Sequence, residues 1–336
     1  MRLTVFGAGA VGGHIAARLA AAGNSIAVVA RGDSVAAMRR NGITLQAGSE
    51  TIRAPVSATD DPRDLGVQDA VIVTVRATDP AGLAAGLTPL VGPKTDVVFA
   101  QNGIPWWYAT GLPPERPAPP DLAFLDPDGS LQRLVPPERI IGGVIYSSNE
   151  MTAPGVVVNE TPARNRLLLG RADDRRDTSL DALRGVLGQA GIEAPPVGDI
   201  RQAIWGKLIV NMSLSVQCLL TGRKATIVSE DRRLAEVCLA AAAEGLAIAT
   251  AHGIDVSTLD PQVFIRNPPD HLPSIRQDFD RGRALELDVL VLAPQAFARA
   301  ADLPTPHFDT IAALAVRLGL DHGLYTGVAS AANARP

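Results

Sequence analysis

The chain has 336 residues, 46% hydrophobic and 20% charged, and a formal net charge of −4. At about 150 residues per domain this is two domains, each able to bury its own core. Both signs of charge are spread along the chain, with none of the basic blocks or stripes that mark nucleic-acid binding. Cys218 and Cys238 are the only cysteines, which rules out a disulfide framework and suits a reducing cytosol. No unbroken apolar, uncharged stretch reaches the roughly 18 residues of a membrane span, so a cytoplasmic globular protein without a membrane partner is expected.

The first 100 residues alternate β-branched runs with Ala/Leu-rich amphipathic stretches. Leu3–Phe6, Ile26–Ala30, Val71–Val75 and Val97–Ala100 read as buried strands. His14–Ala22, Ser34–Arg40 and Pro80–Leu90 read as the intervening helices. That rhythm predicts a doubly wound parallel sheet of Rossmann type, with helices on both faces. Residues 104–137 break it with nine prolines and a Trp106-Trp107-Tyr108 cluster, and read as an ordered surface excursion. Strand signals resume at Ile140–Tyr146, Gly155–Asn159 and Arg166–Leu169, then a helix near Ser179–Gln189. The run Arg171–Arg176 reads as a solvated turn of mixed charge. Beyond Asp199 long helical patterns take over, at Ile200–Val216, Arg232–Ala251 and Pro273–Ala300. The expected division is 1–198, an α/β domain carrying the 104–137 insertion, and 199–336, an all-helical domain.

Gly7-Ala8-Gly9-Ala10-Val11-Gly12 follows a strand and opens a helix, the context in which GxGxxG binds a dinucleotide. Gly7 permits the tight turn and Gly9 lets backbone approach a pyrophosphate. Gly12 allows close helix–strand packing, and the helix N-terminus supplies amides and a positive dipole end. The second strand ends in Arg31, where an NAD site usually places a carboxylate for the ribose 2′-hydroxyl. A guanidinium there suits the 2′-phosphate of NADP(H), and Arg76 after the third strand adds a second cation. Asp33 and Asp79 pull the other way.

Ile204 to Asn211 is a helix with one polar stripe, Lys207 and Asn211 lying four apart on one face. The Gly7–Gly12 cradle, Gln101-Asn102-Gly103, Trp205-Gly206-Lys207-Leu208 with Asn211, and Ser274 followed twelve residues later by Glu286-Leu287-Asp288 occur in this order. Together they resemble the ketopantoate reductase (2-dehydropantoate 2-reductase) family over nearly the whole chain. The resemblance implies an NADP-dependent oxidoreductase acting on CH–OH groups, a reductase of a small 2-oxo acid of the kind used in pantothenate biosynthesis. It implies that Lys207 donates a proton to the carbonyl oxygen as hydride arrives. It also implies that Asn102 contacts cofactor and substrate, that Asn211 and Ser274 hold substrate, and that Glu286 lies near the nicotinamide ribose and the lysine.

Several positions depart from the family pattern. Ser215 stands where a second asparagine is usual, and a further substrate asparagine falls near Ala225. Val291-Leu292 replaces Asn-Gly after Glu-x-Asp, and Arg76 replaces a lysine. A polar pocket rejects substrates that leave its groups unpaired, so such changes can redirect specificity. Two other functions stay open: a family dehydrogenase for a different 2-oxo or 2-hydroxy acid, and a non-catalytic NADP(H)-binding sensor. The histidines, His14, His252, His271 and His307 among them, show no metal-ligand spacing, so no metal is expected. Trp106 and Trp107 either wall the nicotinamide pocket or pin their loop. A homodimer is one open assembly.

Overall fold

The computed structural model describes residues 1–327. The chain divides into two units, residues 1–101 with 128–200, and residues 102–127 with the chain from 201 onward.

The first unit holds eleven strands, and their burial explains the β-branched runs. They are β1 (Leu3–Phe6), β2 (Ile26–Val29), β3 (Ile43–Ala47), β4 (Glu50–Ala54), β5 (Ser57–Thr59), β6 (Ala70–Val73), β7 (Asp96–Phe99), β8 (Ile140–Tyr146), β9 (Asn149–Ala153), β10 (Val156–Asn159) and β11 (Arg166–Arg171). Seven form one sheet in the order β11-β8-β7-β6-β1-β2-β5. Every neighbouring pair in it is parallel except β11 with β8. The central strands β1, β6 and β7 are buried along their whole length, as a sheet covered on both faces requires.

One covering differs from the expected ring of helices. A second sheet, ordered β4-β3-β10-β9, packs on the Ala10–Ala21 helix. Its strands β3, β4 and β9 went unread in the sequence; in β4 and β9, Glu50, Thr51, Arg53 and Glu150 interrupt the apolar alternation. The helix they sheathe buries Ile15 and Leu19 completely. It is therefore apolar almost all round, which suits a helix enclosed by other elements.

Arg171 corrects the reading of 171–176 as a solvated turn. Its side chain is 1% exposed and grips Asp96 with two bonds of 2.7 and 3.0 Å, while its Nε donates to Asp177 at 2.8 Å. Ser179 also donates to Asp96 and accepts from Arg171, so the buried charges are fully engaged.

The second unit is helical. The helix begun at Ile200 runs to Thr221, through a π-helical stretch at Asn211–Ser215. Arg232–Ala251 is helical throughout. By length and composition both could cross a bilayer, but 67% of the most apolar stretch of the first is buried inside the protein. The expected continuous helix over 273–300 is broken. Ser274–Asp280 is helical, a turn follows at Arg281-Gly282, and a second π-helical stretch, Asp288–Leu292, leads into Ala293–Ala300. Shorter helices at Ala225–Glu230 and Pro261–Arg266 and a longer one at Pro306–Asp321 complete the described part.

Residues 102–127, expected to go with the α/β domain, pack instead with these helices. Arg201 explains why. Its buried guanidinium donates to the Tyr108 carbonyl at 2.8 and 3.0 Å and the Thr110 carbonyl at 2.6 Å, and it lies over the Trp107 and Tyr108 rings. Tyr108 also meets Phe297 edge-on, at 4.9 Å between ring centroids. Trp107 is 1% exposed, so it pins the segment and is not a pocket wall.

Candidate functional site

The dinucleotide signature builds a tight joint between β1, β6 and the first helix. Gly7 has φ +103°, and a Cβ there would stand 2.4 Å from the Val75 side chain. A Cβ on Gly12 would lie 2.2 Å from the Gly7 carbonyl oxygen and 2.4 Å from Thr74 Oγ1. The Thr74 hydroxyl donates to that same carbonyl at 2.6 Å, locking the turn to β6. Gly9 is different: its missing Cβ would face open space. The backbone is thus bare where a pyrophosphate would approach the start of the Ala10–Ala21 helix, whose first-turn amides have no partner within the helix.

A cleft of about 470 Å³ opens along this joint, lined by Gly7, Ala8, Gly9, Arg31, Ser34, Asp60, Arg76, Asp79 and Met151 among others. Ala10, Val11 and Gly12 sit behind the turn in the first turn of the helix. Arg31 is exposed at the end of β2 and Arg76 is half-buried just beyond β6. Two carboxylates line the cleft, each with a partner of its own. Asp79 caps the Pro80–Leu87 helix by accepting from the Gly82 amide at 2.8 Å, and Asp60 pairs with Arg39 at 3.4 Å. Asp33 lies in the first turn of the Asp33–Asn41 helix and is not among the lining residues. This lining fits a dinucleotide.

Asn102, Lys207, Asn211, Ser215, Ser274 and Glu286 all belong to the second unit. Three packing contacts draw their elements together. Gly103 has φ +84°, and a Cβ on it would stand 2.5 Å from the Val289 carbonyl oxygen, while the Ile104 amide donates to that oxygen at 2.9 Å. The stretch Asn211–Ser215 touches both Asp288–Leu292 and the Ser274–Asp280 helix. Asn102, Asn211, Ser274 and Glu286 are therefore each on, or within two residues of, segments that meet at one node.

The two π-helical stretches have local causes. Ser213 Oγ donates back to the Ile209 carbonyl at 2.6 Å, a side-chain bond that competes with the helical backbone ladder there. Pro294 supplies no amide to the turn before it, so the helix loosens at Asp288–Leu292. π-Helical insertions are uncommon and often mark functional sites. Lys207 is half-buried one turn before the first of them, and Glu286 is 5% exposed two residues before the second.

The substituted positions are also accounted for. Ser215 is buried and its Oγ donates to Asn211 Oδ1 at 3.2 Å, so the two side chains form a pair. Ala225 is 1% exposed, and its amide donates to the His271 carbonyl. Val291 is buried in the second π-helical stretch. Among the described residues no cluster of three metal-ligating side chains occurs. Residues that sequence reasoning missed are Ser34 and Met151, which line the cleft, and Tyr325, whose hydroxyl donates to Asp288. Ser34 stood close to Arg31 in sequence, but nothing marked the other two.

Residues 3–111 match the family described as Ketopantoate reductase PanE/ApbA, and residues 199–318 match its C-terminal part. A 2-dehydropantoate 2-reductase of Mesorhizobium japonicum is 36% identical over 97% of this chain and all of its own length. A structure from Ralstonia solanacearum MolK2, assigned to ketopantoate reductase, superposes with a TM-score of 0.85 at 34% identity, covering 96% of this chain and 99% of that one. A D-mandelate dehydrogenase held with NADH and anilino(oxo)acetate shares the fold at TM-score 0.79 and 18% identity, covering 96% of this chain and all of that one. With its parallel-sheet unit, its helical unit and a relative this similar end to end, the chain belongs to the ketopantoate reductase family, oxidoreductases that act on CH–OH groups.

Proposed function

We propose that the chain is an NADPH-dependent reductase of a small 2-oxo acid, with Lys207 as proton donor. The observation that carries this reading is the gathering of Asn102, Asn211, Ser274 and Glu286 around two touching π-helical stretches, with Lys207 one turn away. The Gly7–Gly12 turn would hold the pyrophosphate, and Arg31 with Arg76 the 2′-phosphate. A reduced nicotinamide bound there supplies the hydride. As negative charge builds on the carbonyl oxygen, the Lys207 ammonium neutralises it and gives it a proton. Asn211 and Ser274 hold the substrate by hydrogen bonds, and Asn102 orients substrate against cofactor. The Glu286 carboxylate keeps the lysine charged. Both cysteines are buried free thiols, with burial pushing each up to about 12, in keeping with a cytoplasmic enzyme.

A second reading within the same chemistry concerns the substrate. Ser215 is turned onto Asn211, and Ala225 offers no polar group, so fewer donors remain for substrate hydroxyls. We infer a 2-oxo acid less hydroxylated or bulkier than ketopantoate. The test of both readings is NADPH oxidation against a panel of 2-oxo acids that includes ketopantoate. No turnover of any member would leave only a cofactor-binding sensor. Ketopantoate with the highest kcat/KM would refute the second reading and keep the first.

A further inference from the structure

The chain after the Pro306–Asp321 helix returns to Glu286 and brackets it. The Leu324 carbonyl accepts from the Leu285 amide at 2.8 Å, one residue before Glu286. The next residue, Tyr325, donates its hydroxyl to Asp288 Oδ1, two residues after Glu286. The bracket is seated tightly. The Leu324 and Tyr325 amides both donate to the Gly319 carbonyl, at 2.9 and 3.2 Å. A Cβ on Gly319 would stand 2.8 Å from Tyr325 Cβ and 3.1 Å from the Leu287 side chain. Leu285, Leu287 and Tyr325 are all buried around the carboxylate-bearing residue.

The geometry points to Tyr325 as a positioning residue, one that fixes the backbone carrying Glu286 by holding Asp288 while its neighbour Leu324 holds Leu285. Glu286 lies in an irregular segment, one residue before a helix that starts at Leu287 and passes at once into π-helix. Such a segment has few regular backbone bonds to define it, so its geometry depends on outside contacts. Asp288 is a half-buried carboxyl held above the ordinary carboxylate range by desolvation, and Tyr325's hydroxyl is the hydrogen bond that opposes that shift. Without it the carboxyl would turn in search of water or another donor, and the turn bearing Glu286 would turn with it. The inference rests on the reading of Glu286 as an active-site group.

The experiment uses the full chain, with NADPH and the 2-oxo acid it reduces fastest. Tyr325→Phe keeps the ring and removes the donor. We expect kcat to fall about tenfold, as for a small misplacement of an active-site group, with NADPH affinity unchanged. Asp288→Asn keeps an acceptor oxygen and should stay within about threefold of the parent, whereas Asp288→Leu should match Tyr325→Phe. The double variant Tyr325→Phe/Asp288→Leu should be no slower than the slower single variant, because both remove one contact. In hydrogen exchange, peptides covering 281–292 should exchange faster in Tyr325→Phe, a readout that needs no turnover. Parental kcat or unchanged exchange in Tyr325→Phe, or Asp288→Asn as slow as Asp288→Leu, would overturn the inference. Glu286→Gln separates the two readings: parental kcat there removes Glu286 from the active site, while the exchange result still judges the bracket.

Discussion

The indole N–H of Trp205 donates to the Tyr108 hydroxyl at 2.9 Å, tying the segment that follows Asn102 to the helix that carries Lys207. Both rings are buried, and Phe297 meets each of them edge-on. Tyr108→Phe keeps the packing but leaves a buried donor unpaired. We expect it to cost about 1–3 kcal/mol of stability, read as a lower urea midpoint at unchanged slope. An unchanged midpoint would mean that the indole finds another acceptor.

Gly103→Ala tests the seating of the same loop. Its φ of +84° strains any side chain, and the added carbon would meet the Val289 carbonyl, which is backbone and cannot swing aside. The loop must move, taking Asn102 with it. We expect kcat to fall about 10²-fold while NADPH affinity holds, measured by steady-state rates and fluorescence titration.

Lys207 is the one residue of the proposed site able to give both a positive charge and a proton. Lys207→Ala should lower single-turnover NADPH oxidation by about 10²–10⁴-fold. Cofactor affinity should be unchanged, because the Gly7–Gly12 turn belongs to the other unit. Asn211→Ala should act mainly through KM if its contact is equal in ground and transition states. A near-parental rate in Lys207→Ala would return the lysine to a half-buried side chain without catalytic work.

Arg31 should decide the cofactor. NADPH should bind more tightly than NADH, and Arg31→Ala should erode that preference by roughly ten- to a hundredfold, the loss of one charge-assisted contact of about 1.5–3 kcal/mol. Isothermal titration with both cofactors measures it. Equal affinities in the parent would defeat the assignment.

His14, in the helix behind the dinucleotide turn, is fully buried, and burial followed by the Arg18 charge lowers it to about 3. The unfolded chain takes up this proton near pH 6.5 and the folded one does not until about pH 3. Stability is therefore full above pH 6.5 and falls as the pH drops through that window, by about 2 kcal/mol between pH 7 and 5. His14→Gln should lose correspondingly less over that interval, as read from urea midpoints. An equal loss in both proteins would assign the acid sensitivity to other groups.

Much was legible in the sequence because it is encoded locally. A strand buried on both faces must be apolar throughout, so Leu3–Phe6 and Ile140–Tyr146 announced themselves with their observed ends. The GxGxxG turn did so because Gly7 and Gly12 leave no room for a Cβ, a constraint that a few consecutive residues carry. Lys207 and Asn211 shared a face by helical spacing, although the spacing could not show that the helix widens at Asn211. The rest was decided by partners far away in the chain. The strands β4 and β9 look polar, and join a sheet because the apolar helix Ala10–Ala21 needs a second cover. Arg171 looks like a surface charge until Asp96, 75 residues away, meets it in the interior. Residues 102–127 look like an excursion of the α/β domain until Arg201 binds their carbonyls and draws them onto the helices. Tyr325 reaches Asp288 across 37 residues. Local sterics and periodicity are written in neighbouring residues, whereas the satisfaction of a buried charge or hydroxyl depends on a partner that only the folded chain brings within reach.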